Sequence, residues 1–235
     1  MLEKHLALLS SIPLFTELSG EQLAKIAALA RVQTYSAREV VVSQGEPARA
    51  LFAIVRGRLK VVSCGPDGRD TLLGIMSDGE VFGEVALLDG GVRSATCTTL
   101  EPGELLLIER DQFRKLLQES PAISLKLLEV LARRLRRLSQ RSEDAASLDV
   151  PGRLARSLLE LASRFGESMR PPSREILITL QLSQQELGDM IGATRESVNK
   201  QLSDWTRQGF LRLQAGRMVI ADIQRIRGVA QVGDD

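Results

Sequence analysis

Apolar and polar positions follow three different rhythms along this chain, and the changes of rhythm divide it. Residues 1–32 carry helical spacing. "SGEQLAKIAALARV" offers Ser19 as an N-cap and sets Leu23, Ile26, Ala27 and Ala30 on one face. From about residue 33 to residue 108 the runs are β-rich and short. "EVVVSQGEPARALFAIVRGRLKVV" and "SCGPDGRDTLLGIMSDGEVFGEV" are broken at Gln44-Gly45-Glu46-Pro47, Arg56-Gly57, Pro66-Asp67-Gly68 and Asp78-Gly79. Short strands punctuated by Gly turns predict an all-β barrel or sandwich.

Helical spacing returns over residues 111–147. Leu128, Leu131, Leu135 and Leu138 alternate steps of three and four, and Ser142 and Ala145 carry the phase onward beside "ARRLRR". A seam that narrow, with charged flanks, predicts a coiled-coil dimer contact in preference to a helix laid on its own barrel. The arginines are expected on a solvated face. "DVPGRLARSLLELASRFG" begins a new helix, with Asp149 at the junction and Pro151 in the first turn. "ESMRPPSREILITLQ" reads as a polar loop followed by a strand. The expected regions are residues 1–110, 111–147 and 148–235, with a hinge near Asp149-Val150-Pro151.

The most specific pattern is "LSQQELGDMIGATRESVNKQLSDWTRQGFLRL". Ser183 and Glu186 have the spacing of a capping box. The helix they open ends at Gly192. Thr194 then caps a second helix, predicted over residues 195–208. Helix, short Gly-containing turn, helix is the helix-turn-helix signature. Leu187, Met190, Ile191, Val198 and Leu202 fall where the two helices should pack. That leaves Arg195, Glu196, Asn199 and Lys200 on a free face, with Ser197 beside them and Ser183 and Gln184 at the start of the first helix. Arg can pair bidentately with guanine, Glu can accept from cytosine, and hydroxyls such as Thr194 and Ser197 suit phosphate oxygens. "FLRLQAGRMVIAD" reads as a hairpin, which makes the unit a winged helix.

Composition adds exclusions. With 235 residues the chain can bury two modest cores, and 43% hydrophobic with 26% charged residues is a globular balance. Net charge is +1, and residues 150–235 hold 12 Lys and Arg against 10 Asp and Glu, so any nucleic-acid face is local. Cys64 and Cys97 lack CxxC or Cys/His company and read as buried or half-buried thiols. An iron–sulfur cluster needs more thiolates than one chain has. His5 is the sole histidine, which excludes a His-containing catalytic triad or a multi-His zinc site within one chain. No metal site is expected. No signal-like N-terminal run and no stretch of 18 apolar residues occurs, so the expectation is a soluble, cytoplasmic protein without membrane contact.

One stretch resists this description. "VFGEVALLDGGVRSATC", residues 81–97, puts Glu84 into an apolar run and Arg93 just past a Gly-Gly turn. Lone charges in such surroundings are costly without partners. The plain reading is a Glu84–Arg93 ion pair; the functional one is a charged ligand.

The order of blocks, together with "FGEVALLDGGVRSATC" and "GATRESVNKQL", resembles the cyclic-AMP receptor protein / fumarate-nitrate regulator family of bacterial transcription factors, over nearly the whole chain. The resemblance implies an α+β fold. Its parts are an N-terminal β-roll (a double-stranded β-helix), a long central dimerisation helix and a C-terminal winged helix-turn-helix domain. It also implies a ligand cradle. Gly83 and its neighbour Val85 would bring backbone N–H groups to a cyclic phosphate. Glu84 would accept the ribose 2′-hydroxyl. Arg93 would neutralise the phosphodiester through a forked contact, Ser94 would donate a further hydrogen bond, and Ala95 completes the motif. Leu138 and Ser139 match the positions that read adenine in cyclic-AMP responders. Ser139 keeps that chemistry and Leu138 does not. Cyclic AMP is the first choice of effector; cyclic GMP, a cyclic dinucleotide or no ligand stay open.

Other branches of the family fit less well. Residues 1–31 hold no cysteine cluster, and the β region holds no histidine for haem. Arg195 and Glu196 stand where the family reads bases, and Lys200 replaces an arginine common there, which loses the fork. The resemblance further implies a homodimer on near-palindromic double-stranded DNA, with RNA polymerase as a partner met by residues 167–174 and activation as the favoured outcome. Two rivals remain. One is a regulator that needs no ligand. The other is a small-molecule enzyme using Glu84 and Arg93, although the chain offers no nucleophile–base pair, metal cluster or P-loop.

Overall fold

The computed structural model describes residues 2–169 and 174–231, and the chain divides into two compact units, Met1–Arg136 and Arg137–Asp235. The first unit opens on α1 (Leu2–Ser10) and α2 (Gly20–Leu29). α2 starts on a capping box: the Ser19 hydroxyl accepts from the Gln22 N–H at 3.3 Å and Gln22 Oε1 accepts from the Ser19 N–H at 3.0 Å.

Eight strands follow: β1 (Arg31–Tyr35), β2 (Val40–Val42), β3 (Ala50–Arg56), β4 (Leu59–Cys64), β5 (Asp70–Met76), β6 (Val81–Phe82), β7 (Thr96–Thr99) and β8 (Gly103–Glu109). The helix α3 (Glu84–Asp89) lies between β6 and β7. They form two antiparallel four-stranded sheets, ordered β1-β8-β3-β6 and β2-β7-β4-β5, which is the β-roll. Period-two alternation builds two cores from the same strands. Phe52, Ile54 and Leu105 join Leu59, Phe82 and Cys97 in one core. Leu51, Ala53, Leu106 and Ile108 turn the other way and meet Phe15, between α1 and α2, and Ile26 of α2.

The helical region after β8 is two helices, α4 (Arg110–Glu119) and α5 (Pro121–Ser147). The break falls where Pro121 lacks an N–H to continue the ladder and forces the residue before it out of the helical region; Ser120 has φ −131° and ψ 96°. The leucine seam expected on α5 is divided. Leu131 packs against the core that buries Ile123 and Leu127. Leu125, Leu128, Leu135 and Leu138 are 50–65% exposed in the single chain.

In the second unit α6 (Val150–Phe165) starts where Asp149 Oδ1 accepts from the Gly152 N–H at 2.9 Å, with Pro151 in the first turn. It is joined to the end of α5 by Arg156–Asp144 and by Arg141 Nη2 to Glu160 Oε2 at 3.1 Å. Then come β9 (Gly166–Ser168), β10 (Ile176–Ile178), α7 (Gln184–Ile191), α8 (Arg195–Arg207), β11 (Leu211–Gln214), β12 (Arg217–Ile220) and α9 (Ile223–Val229). The sheet order is β11-β12-β10-β9, and β11 with β12 is the predicted wing hairpin. Residues 167–168, expected as loop, join Gly166 in a strand because β10 pairs with them. Of residues 167–174, the stretch expected to meet polymerase, residues 170–173 lie outside the described residues.

Candidate functional site

The β-roll gathers its charges around Gly83. The chain leaves β6, turns at Gly83 with φ +84°, and starts α3 at Glu84. A Cβ at Gly83 would lie 2.3 Å from Arg93 Nη1 and 3.3 Å from the Ala50 carbonyl oxygen, so only glycine leaves room for the arginine. Arg93 is placed by the Gln44-Gly45-Glu46 turn: its N–H donates to the Glu46 carbonyl at 2.8 Å and its carbonyl accepts from the Gly45 N–H at 2.9 Å.

The Arg93 guanidinium is 5% exposed and bonds to backbone alone, through Nη1 to the Gly83 carbonyl at 2.9 Å and Nη2 to the Ala50 carbonyl at 2.7 Å. It lies 5.5 Å over the Phe52 ring, which itself stacks on Phe82 at 5.0 Å. No carboxylate among the described residues forms an ion pair with it. Burial pulls its pKa down from the ordinary arginine value, while Cys97, Glu46 and Glu84 oppose that shift. Burial likewise pushes the Cys97 thiol up to about 12, against the pull of Arg93, and a thiol so raised is inert. Cys97 is buried as expected; Cys64, expected buried or half-buried, is exposed, because β4 ends there.

Glu84 is 1% exposed, and its partner is not Arg93. Arg134 of α5 donates Nη1 to Glu84 Oε1 at 2.5 Å and Nη2 to the Val81 carbonyl. The plain reading, a Glu84–Arg93 ion pair, is therefore replaced by Glu84–Arg134, and Arg134, expected with its neighbours on a solvated face, is drawn onto Glu84 instead. Its position was readable: Ile123, Leu127 and Leu131 step along the core-facing side of α5, and Arg134 is the next residue on that stripe. Glu84 Oε2 is buried with no hydrogen-bond partner among the described residues. A buried, unpartnered carboxylate oxygen and a buried cation without a counter-charge fit a ligand that brings a hydroxyl and an anion. Ser94 is exposed beside this centre, Ala95 is buried, and Val85 is 42% exposed. Ser139 is exposed and Leu138 is 50% exposed, both on the part of α5 that belongs to the second unit.

The helix-turn-helix is built locally. Ser183 and Glu186 make the reciprocal box, at 3.1 Å and 2.9 Å. Gly192 ends α7 with φ +64°, and the Thr194 hydroxyl accepts from the Ser197 N–H at 3.2 Å to start α8. Leu187, Met190, Ile191 and Val198 are buried as expected, Leu202 is half-buried, and Trp205, which the pattern did not single out, is 2% exposed. The sequence also concealed Gly188, whose added Cβ would meet the Ala193 carbonyl oxygen at 2.6 Å; it allows the turn to fold back on α7. Arg195, Glu196, Asn199 and Lys200 are all exposed on α8, and Ser197 is half-buried. The Glu196 carboxyl is held below the usual range by its own backbone N–H and then by the Thr194 hydroxyl. It is thus an ionised acceptor. Gln184 Nε2 donates to Asn199 Oδ1 at 3.0 Å.

A β-roll with a charged cradle, followed by a winged helix-turn-helix, defines a ligand-binding domain coupled in sequence to a DNA-binding one. The cyclic nucleotide-binding domain family matches residues 32–120, and the Crp-like helix-turn-helix domain family matches residues 152–229. A "CRP-like cAMP-activated global transcriptional regulator" of Mycobacterium tuberculosis is 40% identical over 186 residues, spanning 79% of this chain and 82% of that protein. A "cAMP-activated global transcriptional regulator CRP" of Pasteurella multocida is 35% identical over 170 residues, spanning 72% and 79% of the two chains. Among solved structures, the c-di-GMP responsive regulator CLP of Xanthomonas campestris shares the fold with a TM-score of 0.75 at 24% identity, covering 86% of this chain and 99% of that one. The chain belongs to the CRP/FNR family of transcription regulators. It is a transcription regulator that carries a domain of the cyclic nucleotide-binding family and a DNA-binding helix-turn-helix domain, and the enzyme reading falls with that membership. Among the described residues no cluster of His, Cys, Asp and Glu could hold a metal ion, and no helix is long and apolar enough to cross a membrane.

Proposed function

We propose that the effector is cyclic AMP and that the protein acts as a cytoplasmic homodimer on near-palindromic promoter DNA. The observation that carries the effector reading is the pairing of deficits around Gly83. Arg93 is buried with carbonyl partners alone, and Glu84 Oε2 is buried with none. A cyclic phosphodiester would supply the anion for Arg93 and Ser94, with backbone N–H groups at Gly83, Val85 and Ala95 around it. A ribose hydroxyl would donate to Glu84. When bound, the nucleotide supplies charge and hydrogen bonds and undergoes no chemistry. Because Glu84 Oε1 is held by Arg134, ligand binding at Oε2 is felt on α5 directly.

The exposed leucines Leu125, Leu128, Leu135 and Leu138 support a dimer seam along α5, since four such side chains on one helix are left without cover in a single chain. In the dimer, ligand would shift an existing equilibrium between two arrangements, with Leu138 and Ser139 facing the base. In the active arrangement the two α8 helices would enter successive major grooves about 34 Å apart. Arg195, Glu196, Asn199 and Lys200 would meet bases, while Ser183, Gln184, Thr194 and Ser197 would meet phosphates. A hinge at Asp149–Pro151 would have to disturb the Arg156–Asp144 and Arg141–Glu160 pairs that tie α6 to the end of α5. Recruitment of RNA polymerase through residues 167–174, with activation as the outcome, completes the proposal.

Leu138 favours a second reading. It cannot hydrogen-bond an adenine amino group, so cyclic GMP, a cyclic dinucleotide or ligand-free action are the alternatives. The test is the DNA-binding response of purified protein to each nucleotide, with Arg93→Ala alongside. The proposal expects a response to cyclic AMP that Arg93→Ala abolishes while the dimer persists in scattering. An unchanged response in Arg93→Ala would remove the phosphate role, and a monomer under all conditions would remove the dimer.

A further inference from the structure

The contact between Gln184 and Asn199 is not explained by folding. The two side chains are fifteen residues apart, one at the first position of α7 and the other in the second turn of α8, and they meet at 3.0 Å on the exposed side of the motif. The cap at Thr194 is already closed by Ser197, and the side chains that anchor α8, Val198 and Trp205, are buried on another face. A surface bond between two amides adds little to stability, and each side chain gives up rotamer freedom to make it. What the bond does is hold two polar ends together beside Arg195 and Glu196.

Its chemistry fixes what it leaves over. With Gln184 Nε2 donating to Asn199 Oδ1, the Gln184 carbonyl oxygen remains as an acceptor and the Asn199 NH₂ as a donor. Turning both amides over leaves the same two functions, one acceptor and one NH₂ donor. Among single bases in the major groove only adenine offers a neighbouring acceptor and donor, N7 and N6–H; guanine offers two acceptors, and in a G·C pair the adjacent acceptor and donor, O6 and N4–H, are split between the two bases. We propose that Gln184 and Asn199 form one composite reader of a single adenine in the half-site, with Gln184 supplying the acceptor and fixing the Asn199 amide that donates. This rests on the reading of the chain as a DNA-binding regulator. It changes the role of Gln184 from a phosphate contact at the start of α7 to half of a base contact made by α8.

The test is a binding panel. Full-length protein selects its preferred site from random duplexes in the presence of cyclic nucleotide, and each base of that site is then varied. Wild type, Gln184→Ala, Asn199→Ala and the double variant are titrated against the panel. Thermal unfolding of each serves as the folding check. The expected result is loss of adenine preference at one and the same position in both single variants, by roughly 5- to 150-fold. The double variant should lose no more than the worse single one. Asn199→Asp keeps the acceptor for the Gln184 N–H but removes the NH₂ donor, so it should lose the adenine preference and gain tolerance for cytosine, which offers N4–H. Relaxation at two different positions, multiplying losses, or a uniform loss across all sequences with a shallower salt dependence would each overturn the pair. If wild type selects no DNA sequence, the pair falls together with the function it rests on. If wild type selects while the variants act independently, the pair falls alone.

Discussion

The cradle and the recognition helix hold their charges in opposite ways. Glu84 and Arg93 are 1% and 5% exposed, and each depends on groups brought from other strands or from α5. On α8, Arg195, Glu196, Asn199 and Lys200 all stand in solvent, and the residues that hold the helix lie on its other side. On the proposed reading, stability and recognition are fused in the β-roll and separate in the helix-turn-helix. A change to a cradle charge should then disturb the core as well as the ligand. A change on the free face of α8 should alter what is read and leave the fold alone.

The sharpest way to break this comparison is Arg134→Ala. It leaves Glu84 buried and unpaired, and a broken buried pair costs about 3–5 kcal/mol. Arg134 keeps 28% exposure, which sets the expectation near roughly 3 kcal/mol, the low end of that range. Urea unfolding should show the loss together with impaired nucleotide binding; a change within about 0.5 kcal/mol would mean that the pair is not part of the core. Gly188→Ala comes next. Its Cβ has to displace the Ala193 carbonyl at 2.6 Å, and overpacking of this kind costs about 1–3 kcal/mol. Fluorescence anisotropy should show weakened DNA binding while calorimetry shows nucleotide binding unchanged.

Glu196→Ala sharpens the other side. Discrimination at one base position should drop by about 1–3 kcal/mol, while the unfolding midpoint stays put because the side chain is exposed. A shift in stability without a change in the selected site would reverse the comparison. The smallest effect is expected for Thr194→Ala, which removes the N-cap of α8 and should cost about 1 kcal/mol of stability.

The contrast also explains what could be read from residues alone. Ser183, Glu186, Gly192 and Thr194 act on neighbours three or four positions away, so the caps and the turn were legible, as were the wing and a Gly-punctuated β region, which only the family resemblance specified as a β-roll. The cradle was legible only as a puzzle. Glu84 and Arg93 stood out by composition, yet Arg134, Ala50 and Phe52 are brought to them by sheet pairing and by α5. The leucine seam misled in one place, because Leu131 belongs to the stripe of Ile123 and Leu127. Gly188 gave no signal, since a glycine inside a helix looks like a weakness until the backbone it admits is known.

The most direct measurement is calorimetric titration of nucleotide-stripped protein with cyclic AMP, with cyclic GMP and Arg93→Ala as comparisons. Saturable heat with cyclic AMP at one per chain, lost in Arg93→Ala, is the predicted result. It would mean that the two deficits at Glu84 and Arg93 are matched by one ligand despite Leu138. No heat from wild type with either nucleotide would contradict the account: the cradle would then serve another ligand or none.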